Sequence, residues 1–362
     1  MIWRSREPRY DVASGISQGA RDYQEDAITS DFPVGAEAGF VVLADGMGGH
    51  AAGDVASKIV LTEVFSELKF HFADVEAFEA KAPEILRGVA DLANDSLRQH
   101  TRTHPETEGM GATLVVPALV ENRLWWISVG DSPLYLYRNG KLSQLNEDHS
   151  MAPQIDFMVK SGLMDAEAGA NHPDRNCLIS VLMGLRIPKI DCPAAPYELK
   201  VGDIVVCSSD GLQFLTNAQI EKVLGKYRKT RSTEIAERLL EELGKLGDPD
   251  QDNISFTVIK VNDASTRPKQ DRPPRQTIAV TRPKRMTTVI TSAPPMIPLP
   301  IVAKEPNVPD FQGQDSSLEE SPKPRRVKVV ITSPTNQSES VLNGMDELSP
   351  ARLRPRRVIV IK

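Results

Sequence analysis

With 362 residues, 40% of them hydrophobic, the chain can bury one sizeable core and is long enough for two domains. The net charge of −6 is uneven: residues 263–362 hold 17 Lys+Arg and 10 Asp+Glu, a net +7, which leaves −13 on the residues before them, a balance that suits divalent cations and disfavours nucleic acid. No run of about 18 apolar residues is present and the start, Met1-Ile2-Trp3-Arg4-Ser5-Arg6, is polar, so neither a membrane span nor a secretory leader is expected, and the protein reads as cytoplasmic.

Residues 39–44 read as a buried strand that ends at Asp45. Helical spacing follows over 51–68, with Val55, Ile59, Val60, Val64 and Leu68 on one stripe, and over 83–100, with Leu86, Val89, Ala93 and Leu97 three or four apart. Residues 113–120 and 124–129 read as strands. Residues 134–137 and 141–145 flank Asn139-Gly140, a strong hairpin signal. A strand over 203–207 leads to Asp210. Helices are expected over 217–227 and 232–246, the second with Ile235, Leu239, Leu243 and Leu246 as its stripe and Ser232 as its N-cap. The last strand spans 253–261. Consecutive strands joined by hairpins argue for antiparallel sheets, and helices grouped in pairs argue for α+β layers in place of alternating β-α-β units. Cys177, Cys192 and Cys207 lack zinc-type spacing and read as reduced, core-filling thiols.

A composition break near Asp263 separates a folded domain, residues 1–262, from a tail, residues 263–362. The tail holds 15 of the 27 prolines and one aromatic, Phe311, and is expected to be largely disordered. It repeats a basic doublet followed by a β-prone patch: Pro283-Lys284-Arg285-Met286-Thr287-Thr288-Val289-Ile290-Thr291-Ser292, Pro324-Arg325-Arg326-Val327-Lys328-Val329-Val330-Ile331-Thr332-Ser333 and Pro355-Arg356-Arg357-Val358-Ile359-Val360-Ile361-Lys362. Such a segment would dock an unidentified protein by adding a strand to its sheet edge. Drifted low-complexity sequence is the plainer explanation.

Four acidic segments carry the chemistry: Arg21-Asp22-Tyr23-Gln24-Glu25-Asp26, Ala44-Asp45-Gly46-Met47-Gly48-Gly49-His50, Ser208-Ser209-Asp210-Gly211 and Asp252-Asn253-Ile254-Ser255. A lone Asp-Gly is by default a turn, and a lone Asp a cap or half of a salt bridge. An apolar strand that stops at Asp45-Gly46, however, aims a carboxylate and a glycine carbonyl at a hard cation. Asp26, Asp210 and Asp252 recur at other strand ends. Oxygen donors without a His or Cys cluster favour Mg²⁺ or Mn²⁺ over zinc or copper. Arg21, four residues before Glu25 in Arg-x-x-x-Glu-Asp, suits bidentate phosphate recognition.

The ordered set Arg-x-x-x-Glu-Asp at 21–26, Ala-Asp-Gly-Met-Gly-Gly-His at 44–50, Gly-Ala-Thr at 111–113, Gly-Asp-Ser at 130–132, Asp-His-Ser at 148–150, Ser-Asp-Gly at 209–211 and Asp-Asn at 252–253 resembles the metal-dependent serine/threonine protein phosphatases of the protein phosphatase 2C (PPM) type, bacterial branch. The resemblance spans about residues 10–261. It implies a central β-sandwich of two antiparallel sheets flanked by antiparallel helix pairs, with a dimetal site at one edge. It implies hydrolysis of phosphoserine and phosphothreonine by water activated between two Mn²⁺ or Mg²⁺ ions. In that scheme Asp45 bridges both ions, the Gly46 carbonyl binds one, and Asp210 and Asp252 hold the other. Asp26 sits by the metal waters, Arg21 holds the substrate phosphate, and Asp131 serves a third ion. Arg21, Asp26 and Asp45 are thus the catalytic set. Phosphoprotein substrates, an opposing bacterial Ser/Thr kinase and a monomeric state follow by the same analogy.

There are departures. Met47 stands where the eukaryotic branch has a histidine proposed as general acid; His50 is nearby, but a helix-start role suits it better. Pro133 stands where bacterial members have arginine after Gly-Asp-Ser. Residues 152–176 correspond to the family's mobile flap. A phosphoprotein-binding module without activity, and a general two-metal phosphoesterase or nuclease, remain alternatives. A degenerate relative should lack a ligand such as Asp210 or Asp252, and the acidic body disfavours nucleic acid.

Overall fold

The computed structural model describes residues 8–33, 35–48 and 51–263. The tail repeats and His50 lie outside them. Eleven strands and seven α-helices are present among the described residues, with short 3-10 helices at Pro105–Thr107 and Asp210–Phe214: β1 (Tyr10–Ser17), β2 (Asp26–Asp31), β3 (Ala38–Met47), α1 (Ala51–His71), α2 (Val75–Ala80), α3 (Ala82–Thr103), β4 (Gly111–Ala112), β5 (Leu114–Val120), β6 (Arg123–Val129), β7 (Leu134–Arg138), β8 (Lys141–Gln144), α4 (Ala152–Lys160), α5 (Ala166–Ala170), β9 (Tyr197–Glu198), β10 (Ile204–Ser208), α6 (Asn217–Tyr227), α7 (Ser232–Leu246) and β11 (Ile254–Val261). None of these helices is long and apolar enough to cross a membrane.

The strands form two antiparallel sheets, β1-β11-β10-β7-β8 and β2-β3-β5-β6-β9, with β4 paired to the end of β3. Side chains on a strand alternate between faces, and β3 shows where each face goes. Phe40, Val42 and Ala44 pack with Val60, Val64 and Leu68 of α1 and Leu86, Val89 and Leu97 of α3. Val41 and Leu43 pack between the sheets, with Val115 of β5, Val205 and Cys207 of β10 and Ile259 of β11. The other sheet is covered by α6 and α7, where Ile220, Leu224, Ile235 and Leu239 meet Ile204, Val206, Phe256 and Val258. The order of layers is therefore helix, sheet, sheet, helix. Burial on both faces explains why β3 reads as a continuous apolar run instead of an alternation.

The α1 and α3 stripes, the α6 and α7 spans and the β7–β8 hairpin agree with the sequence reading; Asn139 and Gly140 both take positive φ, 53° and 86°, as a type I′ turn requires. Three details differ. The strand does not stop at Asp45: pairing of Gly46 with Ala112 and Met47 with Gly111 carries β3 two residues further. Ser232 is not the cap of α7. Arg231 holds that position, and Ser232, fully buried, donates its backbone N–H to Asp11 Oδ2 at 2.8 Å and its hydroxyl to the Asp11 carbonyl, tying α7 to β1. Helix α2, capped by the Asp74 side chain on Ala77 N–H, is too short to announce itself by periodicity. All three cysteines are free and buried.

At the opposite end of the first sheet from the acidic segments, where β7 ends and β10 begins, Arg138 forks onto Asp203, Nε to Oδ1 at 2.9 Å and Nη2 to Oδ2 at 2.5 Å. Asp203 is 2% exposed and also accepts from Lys200 N–H. Removing Asp203 takes away two charge-assisted bonds and the acceptor of the Lys200 N–H, while Arg138 keeps only the Glu198 carbonyl and the Tyr197 hydroxyl as neutral partners. Asp203→Ala is expected to lower unfolding free energy by about 3 kcal/mol, read by urea denaturation at neutral pH.

Candidate metal centre

Antiparallel pairing gathers alternate strand ends at one edge of the sandwich. In the second sheet Asp26, the first residue of β2, is registered against Asp45 near the end of β3, while Leu114 at the start of β5 faces Val129 at the end of β6. In the first sheet Ser17 at the end of β1 and Ser208 at the end of β10 face Ile254 and Phe256 at the start of β11. The loops that follow these ends hold the remaining sequence-predicted residues. Arg21 lies after β1, Asp131 after β6, Asp210 after β10 and Asp252 before β11.

Alternation places Asp45 on the same face as Val41 and Leu43, and its register partner Asp26 on the same face as Ile28; these apolar residues pack in the layer between the sheets. The two carboxylates thus open the inter-sheet layer at its rim. Asp26, Asp45, Asp131 and Asp210 are each only 8–9% exposed. Like charges directly opposed on a ladder are destabilising, and buried carboxylates are held by partners or cations.

Hydrogen bonds join the pieces. Ser209 donates its hydroxyl to Asp26 Oδ2 at 2.8 Å, linking the Asp210 loop to β2. Asp45 N–H donates to Thr113 Oγ1 at 3.1 Å and its carbonyl accepts from Thr113 N–H at 2.9 Å. Thr113 Oγ1 lies 2.8 Å from Ser132 Oγ, beside Asp131. Gly46 N–H donates to the Glu25 carbonyl, and a Cβ on Gly46 would stand 2.0 Å from the Gly53 carbonyl oxygen. Gly211 is equally confined, with the Asn253 carbonyl oxygen 1.9 Å from where its Cβ would be. These two glycines are required by close backbone approach. Arg21 Nη2 pairs with Asp252 Oδ2 at 2.6 Å. Every residue expected at the site is therefore on this rim.

Among the described residues, no three His, Cys, Asp or Glu side chains close on a common point as a preformed cage. Mg²⁺-type ions keep several waters and take one or two carboxylates each, and an all-oxygen set of buried strand-end carboxylates fits that chemistry. Pro133 is buried and its carbonyl accepts from Ser208 N–H at 3.0 Å, so this position joins the two loops.

Three organising residues lay inside the quoted motifs without an assigned role: Thr113, Asn253 and His149. Asn253 is taken up below. His149 is fully buried and clasps the Gly130-Asp131 turn. Gly130 N–H donates to Nδ1 at 3.2 Å, and His149 N–H donates to the Gly130 carbonyl at 3.0 Å. Because Nδ1 accepts, the proton of the neutral ring sits on Nε2. Burial pushes the imidazole down to about 4, with the Lys189 ammonium acting in the same direction. An unfolded histidine takes its proton near pH 6.5, well before the folded one. The unfolded state therefore binds more protons between those values, and stability falls as pH drops through that window. We expect His149 alone to make the protein about 2 kcal/mol less stable at pH 5 than at pH 7. Urea denaturation at both pH values should show that difference shrinking in His149→Gln.

Residues 16–245 match the family model of protein phosphatase 2C. Over 231 residues the chain is 32% identical to the serine/threonine protein phosphatase PstP of Mycobacterium tuberculosis, covering 63% of this chain and 41% of that protein; the chain thus spans less than half the length of this relative. Over 223 residues it is 30% identical to the serine/threonine phosphatase stp of Listeria innocua, covering 61% of this chain and 84% of that one. The crystal structure of the Mycobacterium tuberculosis phosphatase PstP/Ppp superposes with a TM-score of 0.59 at 29% identity, covering 70% of this chain and 99% of that one. The catalytic domain of PstP in complex with two manganese ions superposes at 0.53 and 28% identity, with the same coverage. The two antiparallel sheets with flanking helices agree with these likenesses, and the chain belongs to the protein phosphatase 2C family.

Proposed function

We propose that residues 1–262 form a serine/threonine protein phosphatase domain acting on phosphoserine and phosphothreonine in protein substrates, and that residues 263–362 form a separate tail that docks a partner. The observation that carries the reading is the convergence of Asp26, Asp45, Asp131, Asp210, Asp252 and Arg21 on one rim of a sandwich of this family. Asp45, the Gly46 carbonyl, Asp210 and Asp252 would hold two divalent ions, and Asp131 a third. Mn²⁺ is the first ion to test, since a relative's structure contains two, and Mg²⁺ suits the same donors. Such ions, when bound, acidify water and neutralise phosphoryl oxygens.

The chain's own groups do the rest. The Arg21 guanidinium offers a planar fork for two phosphoryl oxygens. Its present partner, Asp252, is 27% exposed and adjoins the same rim. Asp26, fixed through Oδ2 by Ser209, orients water against the phosphorus. The segment 152–176, which includes α4 and α5, carries Phe157 and Leu163, 67% and 76% exposed, as apolar contacts for the peptide around the phosphoresidue. The overall reaction exchanges the serine or threonine oxygen on phosphorus for a water oxygen. A eukaryotic-type Ser/Thr kinase is the natural opponent of such an activity.

Turnover of a phosphothreonine peptide tests this, with Mn²⁺ or Mg²⁺ added, EDTA as a control and an okadaic-acid-type inhibitor present. Metal-dependent turnover that survives the inhibitor, persists in the 1–262 fragment and falls at least about a hundredfold in Asp210→Asn is the expected result. Retained phosphopeptide binding with no turnover under either metal would instead identify a binding module.

A further inference from the structure

Arg21 sits on a loop, residues 18–25, that has no regular secondary structure and whose first six residues are exposed. Apolar packing therefore does little to fix its guanidinium, and polar contacts must. Several are local or peripheral: Gln18 Nε2 donates to the Arg21 carbonyl at 2.7 Å, Gln24 Nε2 to the Ser17 carbonyl at 3.1 Å, and Ala20 N–H to the Gln251 carbonyl at 2.8 Å. One buried side chain reaches both legs of the loop. Asn253, 3% exposed, donates through Nδ2 to the carbonyls of Gln18 and Tyr23, each at 2.9 Å, and accepts the Glu25 N–H through Oδ1 at 2.7 Å. The first contact precedes Arg21 and the other two follow it.

The chemistry of this clasp is specific to a carboxamide. Two donors and an acceptor are needed on one short planar group. Aspartate has the same size and keeps the acceptor, but sets an oxygen against two carbonyl oxygens. Asn253 is also held from behind: its own N–H donates to Asp252 Oδ1 at 2.8 Å, and its carbonyl fills the gap that Gly211 leaves open. Both of those are backbone contacts, which a change of side chain leaves in place. The amide thus couples the loop bearing the phosphate-binding arginine to the segment bearing Asp252.

We propose that Asn253 is a positioning residue, acting through Arg21: by pinning both legs of the 18–25 loop it sets where the guanidinium meets the phosphoryl group of the substrate. The inference rests on the phosphatase reading for its kinetic consequence and on geometry alone for its structural one, so the two are tested separately.

The structural arm uses the full chain and hydrogen exchange. The Ala20 amide bonds to Gln251, not to Asn253, so its protection reports release of the loop and not loss of its own partner. It should exchange about tenfold faster in both Asn253→Ala and the isosteric Asn253→Asp, while β3 and β11 amides keep their native rates. Native protection of Ala20 in the Asp variant, or loss of protection throughout the sheets, overturns the proposal.

The kinetic arm is a double-mutant cycle with a phosphothreonine peptide. Asn253→Ala should lower kcat/KM about tenfold, chiefly through KM, and by less than about twofold when Arg21 is already Ala. Affinity for Mn²⁺ alone, by calorimetry, should stay within about twofold of native. Equal losses in both backgrounds, or a parallel loss of Mn²⁺ affinity, would show that Asn253 does not act through Arg21. A native chain without any turnover would sink the phosphatase reading, and the exchange arm would then decide this one.

Discussion

Two carboxylates face each other across the β2–β3 ladder. Asp26 and Asp45 are register partners on the face that turns into the space between the sheets, each under a tenth exposed. Much of the rim can be understood as support for that placement. The Asp45 backbone is gripped from one side by Thr113 and the Asp26 carboxylate from another by the Ser209 hydroxyl. A chain selected for stability alone would put aliphatic residues at both positions, as at Ile28 and Leu43 one pair further along the same face. Like charge at such a spot is costly without a compensating cation, so the pair breaks a local rule of strand design at the candidate site.

The layered architecture makes that breach tolerable. Three apolar clusters, one under each helix pair and one between the sheets, anchor the strands along most of their length. Only the strand ends are left to polar chemistry. Because pairing is antiparallel throughout, ends from both sheets arrive at the same rim, and single hydrogen bonds suffice to join them. Ser209 ties the first sheet to the second, Thr113 with Ser132 ties β5 to the Gly130-Asp131 turn, and His149 locks that turn as a neutral, buried ring. The carboxylates thus stand at strand ends tied by hydrogen bonds, while Arg21 stands on the irregular 18–25 loop.

Much of the fold was legible from pattern. The α1 and α3 stripes, the spans of α6 and α7 and the Asn139-Gly140 hairpin follow from periodicity and turn chemistry, which are local. Misses arose where a long-range contact overrode a local signal. Met47 continues β3 because Gly111 lies beside it, and Ser232, a good capping residue by type, is drawn instead to Asp11, 221 positions away in sequence. Helix α2, six residues long, is below the length at which a stripe can be seen.

The sequence by itself marked Asp26, Asp45, Asp210 and Asp252 as candidate oxygen donors, because a hard cation takes oxygen ligands and because four acidic segments recur in one ordered motif set where any one alone would read as a turn or a cap. It also marked Thr113, His149 and Asn253 as parts of motifs. What each of these does was decided only by the tertiary structure. The partners of Asn253 are 228 to 235 positions away, and those of Thr113 and Ser209 up to 183. A side-chain amide or hydroxyl has no preferred partner until the fold brings one within hydrogen-bonding distance, and no periodicity encodes which carbonyl that will be.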